Sequence, residues 1–237
     1  MKRVRKMNNI EGLEKNLNIK FKNKELLNTA LTHRSFINEN REVKEHNERL
    51  EFLGDAVLEL IVSVFLFDKY RDRAEGELTS FRAALVKTDS LAEVAKGLGI
   101  GTYMNMSKGE EESGGREKDY LLANTYEAIL GAIYLDSGYE SCTKFVHKTL
   151  LHKIEDIVEK RLDIDSKTKI QELVQSIYKS TPTYEVVKEI GPDHSKEFTV
   201  VVKIDNKVIG HGTGSSKQRA EEQAAKEGIE YIEKSNK

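Results

Sequence analysis

The sequence predicts a two-domain chain, an all-α domain followed by a small α+β domain of α-β-β-β-α order. Two observations carry that expectation. Apolar residues recur at helical spacing over the first two thirds of the chain. Both prolines, Pro182 and Pro192, fall in the last quarter, where runs rich in β-branched residues begin. A charged linker, Glu159 to Ser166, separates the parts, giving expected domains 1–160 and 165–234. At 237 residues the chain is long enough for one medium domain and one small one.

Composition narrows the class. Lys and Arg total 38 against 40 for Asp and Glu, a formal net charge of −2, so overall charge does not announce a nucleic-acid ligand. If RNA binds, the basic groups are gathered locally. The lone cysteine, Cys142, excludes an intrachain disulfide and a Cys-based zinc site, and points to a reducing compartment. The basic start, Met1 to Met7, leads into polar residues instead of an apolar signal core, and no run reaches spanning length. The expectation is a cytoplasmic protein with no membrane partner.

Leu13, Leu17 and Ile19 mark a first short helix, and Lys24 to Leu31 a second, apolar at Leu26, Leu27, Ala30 and Leu31. Thr32-His-Arg-Ser35 ends it with polar groups. His33 there either braces a helix end or is functional. Arg41 to His46 is charged and reads as a loop.

The central element is Glu48 to Leu60, continuing through Ile61 to Phe67. At about 3.6 residues per turn, Glu48, Glu51 and Asp55 project from one face. Leu50, Leu53, Val57 and Leu60, with Phe52 and Ala56, cover most of the rest, as in a core helix. Arg49 is the only cation within Glu48–Leu60 and does not face the acids. The stripe, extended by Glu59, is either solvated or a divalent-metal site. Its apolar setting favours the metal site, because buried carboxylates need a partner. Gly54 would let another backbone approach beside Asp55.

A polar stretch, Asp68 to Thr79, contains Glu75-Gly-Glu77. Helical spacing resumes over Phe81–Val86 and Ser90–Leu98, closed by Gly97, Gly99 and Gly101. Ser107 to Asp119 reads as an exposed loop. Tyr120 to Asp136 is a second core helix, whose strongly polar interior positions, Asn124 and Glu127, share a face. Gly131, one turn on, allows close packing. Face-to-face packing would bring Glu51, Asp55, Asn124 and Glu127 together, a hard-oxygen set suited to Mg²⁺ or Mn²⁺ held partly through water and substrate phosphate.

After Leu150 a helix, Leu151 to Val158, leads to the linker. Lys169–Tyr178 is amphipathic, with Ile170, Leu173, Val174 and Ile177 inward. Tyr184–Ile190, Glu197–Ile204 and Val208–Thr213 read as strands, the last two joined at Asp205-Asn206. Ser216 caps a final helix, Lys217 to Ile232, whose small inward residues Ala220 and Ala224 let it lie close on the sheet.

Glu48-Arg-Leu-Glu-Phe-Leu-Gly-Asp-Ala56 resembles the signature of bacterial ribonuclease III. Leu31-Thr-His-Arg-Ser35, Ser113-Gly-Gly115 and Thr125 to Asp136 resemble the same family in the same order. Gly191-Pro-Asp-His194 and Ser216 to Lys226 resemble its double-stranded-RNA-binding domain. The resemblance implies an all-helical, homodimeric endonuclease domain, with Mg²⁺-dependent hydrolysis of double-stranded RNA in processing of ribosomal RNA precursors and other structured RNAs. It implies no small-molecule substrate. By motif, Glu51, Asp55 and Glu127 are metal ligands or water-activating groups, with Glu48 and Glu75 at the cleft rim. A two-ion arrangement would clamp attacking and leaving oxygens, with the ions about 4 Å apart.

In the second domain, Lys217, Gln218 and Arg219 at a helix N-terminus would hold phosphates, while Gln171 and the His194 loop reach 2′-hydroxyls. Gln218 stands where the family usually has a second Lys. Asn124 stands where the family pattern has Asp. It keeps a ligating carbonyl oxygen but loses a charge, which lowers metal affinity and rate, and is either natural variation or a disabling change. Asn124 also favours the rival expectation, a protein that binds structured RNA without cutting it. A zinc deaminase carrying the same RNA-binding domain is excluded, because Cys142 alone cannot supply its ligands.

Overall fold

In the computed structural model, which describes residues 10–159, 166–192 and 196–235, the first domain is organised by one crossing of two helices. These are α4 (Glu48–Lys69) and α9 (Asp119–Ser137). Their backbones touch where Gly54 meets Gly131. A Cβ on Gly54 would overlap the Glu127 carbonyl and one on Gly131 the Leu50 carbonyl, so only glycine permits this approach. Leu58 and Val62 of α4 and Ala128, Ile129, Ala132 and Ile133 of α9 are fully buried beside the crossing.

Around this pair stand α1 (Glu11–Leu17), α2 (Lys24–Ala30), α3 (Arg34–Glu39), α5 (Glu75–Val86), α6 (Thr88–Gly97) and α7 (Ile100–Tyr103). They are joined by α8 (Lys108–Glu112), α10 (Tyr139–Thr149) and α11 (Ile154–Glu159), with 3-10 turns at Gly115–Glu117 and Leu151–Lys153. No helix of the described residues is long and apolar enough to cross a membrane.

Several expectations are corrected. Thr32 to Ser35 does end α2, but it also starts α3: His33 is its N-cap, with Nδ1 accepting from the Ser35 amide at 3.3 Å. Ser107 to Asp119 is not a plain loop. Ser107 caps α8 by accepting from the Glu110 amide, and the Arg116 guanidinium donates to the carbonyls of Gly101, Thr102 and Met104 at 2.7 to 3.1 Å.

The expectation that α4 is buried nearly all round also fails. Val57, Leu58, Ile61 and Val62 face the core, but Phe52 is 81% exposed, Phe67 71%, and Leu60, Ala56 and Asp55 are exposed as well. The helix is apolar on two faces, and this chain covers only one.

The chain divides into two compact units between Asp163 and Ile164. In the second, α12 (Ser166–Tyr178) precedes β1 (Thr183–Ile190), β2 (Glu197–Ile204) and β3 (Lys207–Gly214), then α13 (Lys217–Ser235). The strands form an antiparallel sheet in the order β1-β2-β3. Asp205, at φ 53°, turns β2 into β3. Gly210 and Gly212 of β3 lie directly under Ala220, Ala224 and Gly228 of α13, where added side chains would strike helix backbone. Ile170 and Val174 of α12 complete the core with Val200 and Val202. Ile177, expected inward, is 43% exposed, because it lies two turns beyond Ile170, where the helix passes the edge of this core.

Candidate active site

The α4/α9 crossing sets the candidate acids. Glu51, Asp55 and Glu59 follow one another along α4, and Asn124 and Glu127 stand one turn apart on α9. The Asn124 amide donates to the Glu51 carboxylate. Glu127 is half-buried, and Asp55, Glu51 and Glu59 are its charged neighbours. Burial first, then those three carboxylates, pushes the Glu127 carboxyl up to about 7. Glu51 is raised too, by burial and then Glu48 and Asp55, against which the Asn124 hydrogen bond works in the opposite sense.

Two flanking acids have cations. Arg82 meets Glu59 at 2.9 Å and also donates to Ser63 Oγ at 2.9 Å. At the other end Glu48 lies 3.7 Å from the Arg34 guanidinium and 3.9 Å from His46 Nδ1. Neither Arg34 nor His46 was expected here. The signal lay in Thr32-His-Arg-Ser35 and in the residues just before α4, which read only as a helix end and a loop.

The donor set is hard oxygen throughout, and its central carboxyl sits among like charges, so the residues suit a divalent cation of that preference. Among the described residues, no group of three or more His, Cys, Asp or Glu side chains is gathered tightly enough to hold a metal ion unaided. A cation held by these acids would draw its remaining ligands from water and substrate phosphate.

Glu75 is not brought to this face within the chain. It starts α5, accepts from Thr79 Oγ1 at 3.0 Å, and borders a cavity with Ser63 and Phe67, on the far half of α4 from Glu51. In the second unit, Lys217, Gln218 and Arg219 are all exposed in the first turn of α13. Ser216 Oγ accepts the Arg219 amide at 3.2 Å, and the Lys217 ammonium stands 5.7 Å from the centre of the Phe198 ring. Gln171 is exposed on α12. His194 lies outside the described residues.

Comparison with known proteins bears directly on this arrangement. Residues 23–154 match the family model described as ribonuclease-III-like, and residues 166–232 match the double-stranded RNA binding motif. Ribonuclease 3 of Desulforamulus reducens is 50% identical over 222 residues, covering 93% of this chain and 90% of that protein. Ribonuclease 3 of Streptococcus thermophilus is 44% identical over 228 residues, covering 95% and 99%. Among solved structures, the nuclease domain of ribonuclease III from Campylobacter jejuni is 47% identical with a TM-score of 0.56. It covers 60% of this chain and 95% of that one, and the work on it concerns flexibility in a region involved in dimer formation.

A helical nuclease domain with a face of carboxylates, joined to an RNA-duplex-binding module, defines an endoribonuclease of double-stranded RNA. The chain belongs to the ribonuclease III family. Hydrolysis in this family depends on a divalent metal, and the relatives give no support to the non-cleaving alternative.

Proposed function

We propose that the face formed by Glu51, Asp55, Asn124 and Glu127 is the phosphodiester-cleaving site, that Mg²⁺ serves it with Mn²⁺ able to substitute, and that Asn124 weakens it. The observation that carries this is the α4/α9 crossing, which sets Glu127 against Glu51 and Asp55 with the Asn124 amide between the helices. A bound divalent metal supplies an activated water and charge neutralisation at phosphate. The chain's own part is positional. Gly54 and Gly131 fix the distance between the two acid-bearing helices, and Glu127, its carboxyl pushed up by burial and then by its acidic neighbours, would release its proton to water as a cation bound. The Asn124 amide already satisfies part of Glu51, so the set attracts a cation less strongly than it would with Asp at 124.

The domains are assigned as 1–160 for cleavage and 165–234 for duplex binding, with Lys217, Gln218 and Arg219 on phosphates and Gln171 and His194 toward the minor groove. The exposed Phe52, Leu60, Val64 and Phe67 of α4 support a homodimer, as does a groove of about 950 Å³ beside Phe52 whose lining includes Leu26, Leu53 and Leu135. A closed dimer presents the same patch on both chains and so places two equivalent sites across one duplex. Glu75 is assigned to the rim of the cleft in that assembly. The single cysteine supports a cytoplasmic setting, and structured RNAs such as ribosomal precursors are the substrates.

The test is a competition series in which labelled duplex RNA is challenged by duplex DNA, an RNA/DNA hybrid, single-stranded RNA and a scrambled RNA duplex of equal length. Only the scrambled RNA duplex competes well, because the module reads A-form shape and 2′-hydroxyls. Equal competition by duplex DNA overturns the assigned contacts.

A further inference from the structure

A face of carboxylates repels an RNA backbone, so the protein has to bring positive charge to its rim. Arg82 is engaged by Glu59 and Ser63. Arg34 is placed differently. It is the first residue of α3, its side chain is 73% exposed, and its guanidinium nitrogen lies 3.7 Å from the Glu48 carboxylate. That is well beyond the roughly 2.7–2.9 Å of a charge-assisted hydrogen bond, so the pair is loose and open to exchange. Glu48 stands one helical turn before Glu51 and acts on it electrostatically, so Arg34 sits at the edge of the acid face.

The backbone under Arg34 is firmly held. His33 Nδ1 lies 2.8 Å from Ser35 Oγ, which also accepts the Ser107 amide at 3.0 Å, tying the first turn of α3 to the start of α8. A long side chain on a fixed base, loosely tethered and mostly in solvent, is arranged to reach outward. A guanidinium presents a planar fork that matches phosphate oxygens.

We infer that Arg34 is a substrate-binding residue, which exchanges Glu48 for a phosphate of the RNA strand entering the cleavage face. The inference rests on the assignment of Glu51, Asp55 and Glu127 as that face. Glu48 is then the counter-charge that holds Arg34 while no substrate is present, and the two acids one turn apart differ in role: Glu48 tunes Arg34, Glu51 serves the metal.

The experiment uses the full chain and a duplex RNA of about 30 base pairs. Cleavage is measured with Mg²⁺, and binding is measured in a Glu127→Gln background over a salt series. Arg34→Ala is expected to raise KM about tenfold with little change in kcat, the effect of losing one charged contact. It also lowers the slope of log affinity against log salt by about 1. Arg34→Lys restores the slope but not the full affinity, since a point charge replaces the fork. Glu48→Gln, by removing the competitor, tightens RNA binding. An unchanged KM and salt slope overturns the inference, and so does a loss confined to kcat, which would make Arg34 a brace for Glu48. Undiminished cleavage by Glu127→Gln would remove the assigned face instead, while the salt slope would still decide whether Arg34 meets phosphate.

Discussion

Gly131 of α9 packs so closely on Gly54 of α4 that a Cβ on Gly131 would lie 3.2 Å from the Gly54 nitrogen and 3.1 Å from the Leu50 carbonyl carbon. The two acid-bearing helices are thus held at a separation that any side chain would widen. Gly54→Ala and Gly131→Ala should each cost about 1–3 kcal/mol or more, as overpacking does, despite alanine's better helix propensity. Denaturant melts measure this, and wild-type stability in either variant would contradict the packing. Because the same shift moves Glu127 away from Glu51, cleavage should fall further than stability does.

Arg116 holds three carbonyls of the segment before α8 and the Glu111 carboxylate at 2.8 Å. Its replacement by Ala removes these hydrogen bonds together, at a cost of about 1–3 kcal/mol. Hydrogen exchange should report loosening at residues 101–118 before the rest of the domain. Uniform exchange across the domain would show that Arg116 is not a local pin.

Cys142 is fully buried, donates to the Leu130 carbonyl at 3.6 Å, and its thiol is pushed up to about 12 by burial. In the folded protein it should resist thiol reagents at pH 8 and react fully once denatured. The unfolded thiol ionises near about 8.5, so the native state keeps its proton longer. The unfolded state therefore gains from ionisation as pH rises through that value, and stability declines toward about 12. Cys142→Ser should flatten this alkaline slope, and an unchanged slope would assign it to other groups.

A fragment ending at Val158 should dimerise through the exposed apolar face of α4 yet bind duplex RNA poorly, since Lys217 and Arg219 are gone. Ultracentrifugation and filter binding at physiological salt test both halves. Retained affinity would count against the duplex-binding role of 165–234.

Much of this was legible in residue spacing. Gly54 and Gly131 announced the close crossing, and the shared face of Asn124 and Glu127 announced what met Glu51. Periodicity could not say which apolar face of α4 lacks a partner within the chain, so Phe52 and Leu60 read as core. The α10 helix buries Cys142, Phe145, Val146 and Thr149 at helical spacing, but its polar remainder makes that period a weaker signal than the apolar Tyr120–Asp136 run before it. Ser107 followed three residues on by Glu110 was a helix start concealed in glycine-rich sequence. Arg34 comes to Glu48 only through tertiary packing, whereas His46 stands two residues before it in a stretch that reads as loop.

The most direct measurement of the central claim compares the Asn124 chain with Asn124→Asp for Mg²⁺ affinity, read by thermal shift, and for cleavage of a long RNA duplex with Mg²⁺ and with Mn²⁺. The substitution exchanges the amide that satisfies Glu51 for a further carboxylate. Without metal the variant should melt lower than the Asn124 chain, and Mg²⁺ should raise its melting temperature more. Cleavage should rise by about 10- to 100-fold, the usual scale for groups that tune a metal site. Duplex affinity at fixed salt should barely change, since the substitution leaves Arg34 and the phosphate-binding groups of α13 in place. A variant that gains neither Mg²⁺ stabilisation nor cleavage with either metal would contradict the assignment of this face as the site of hydrolysis.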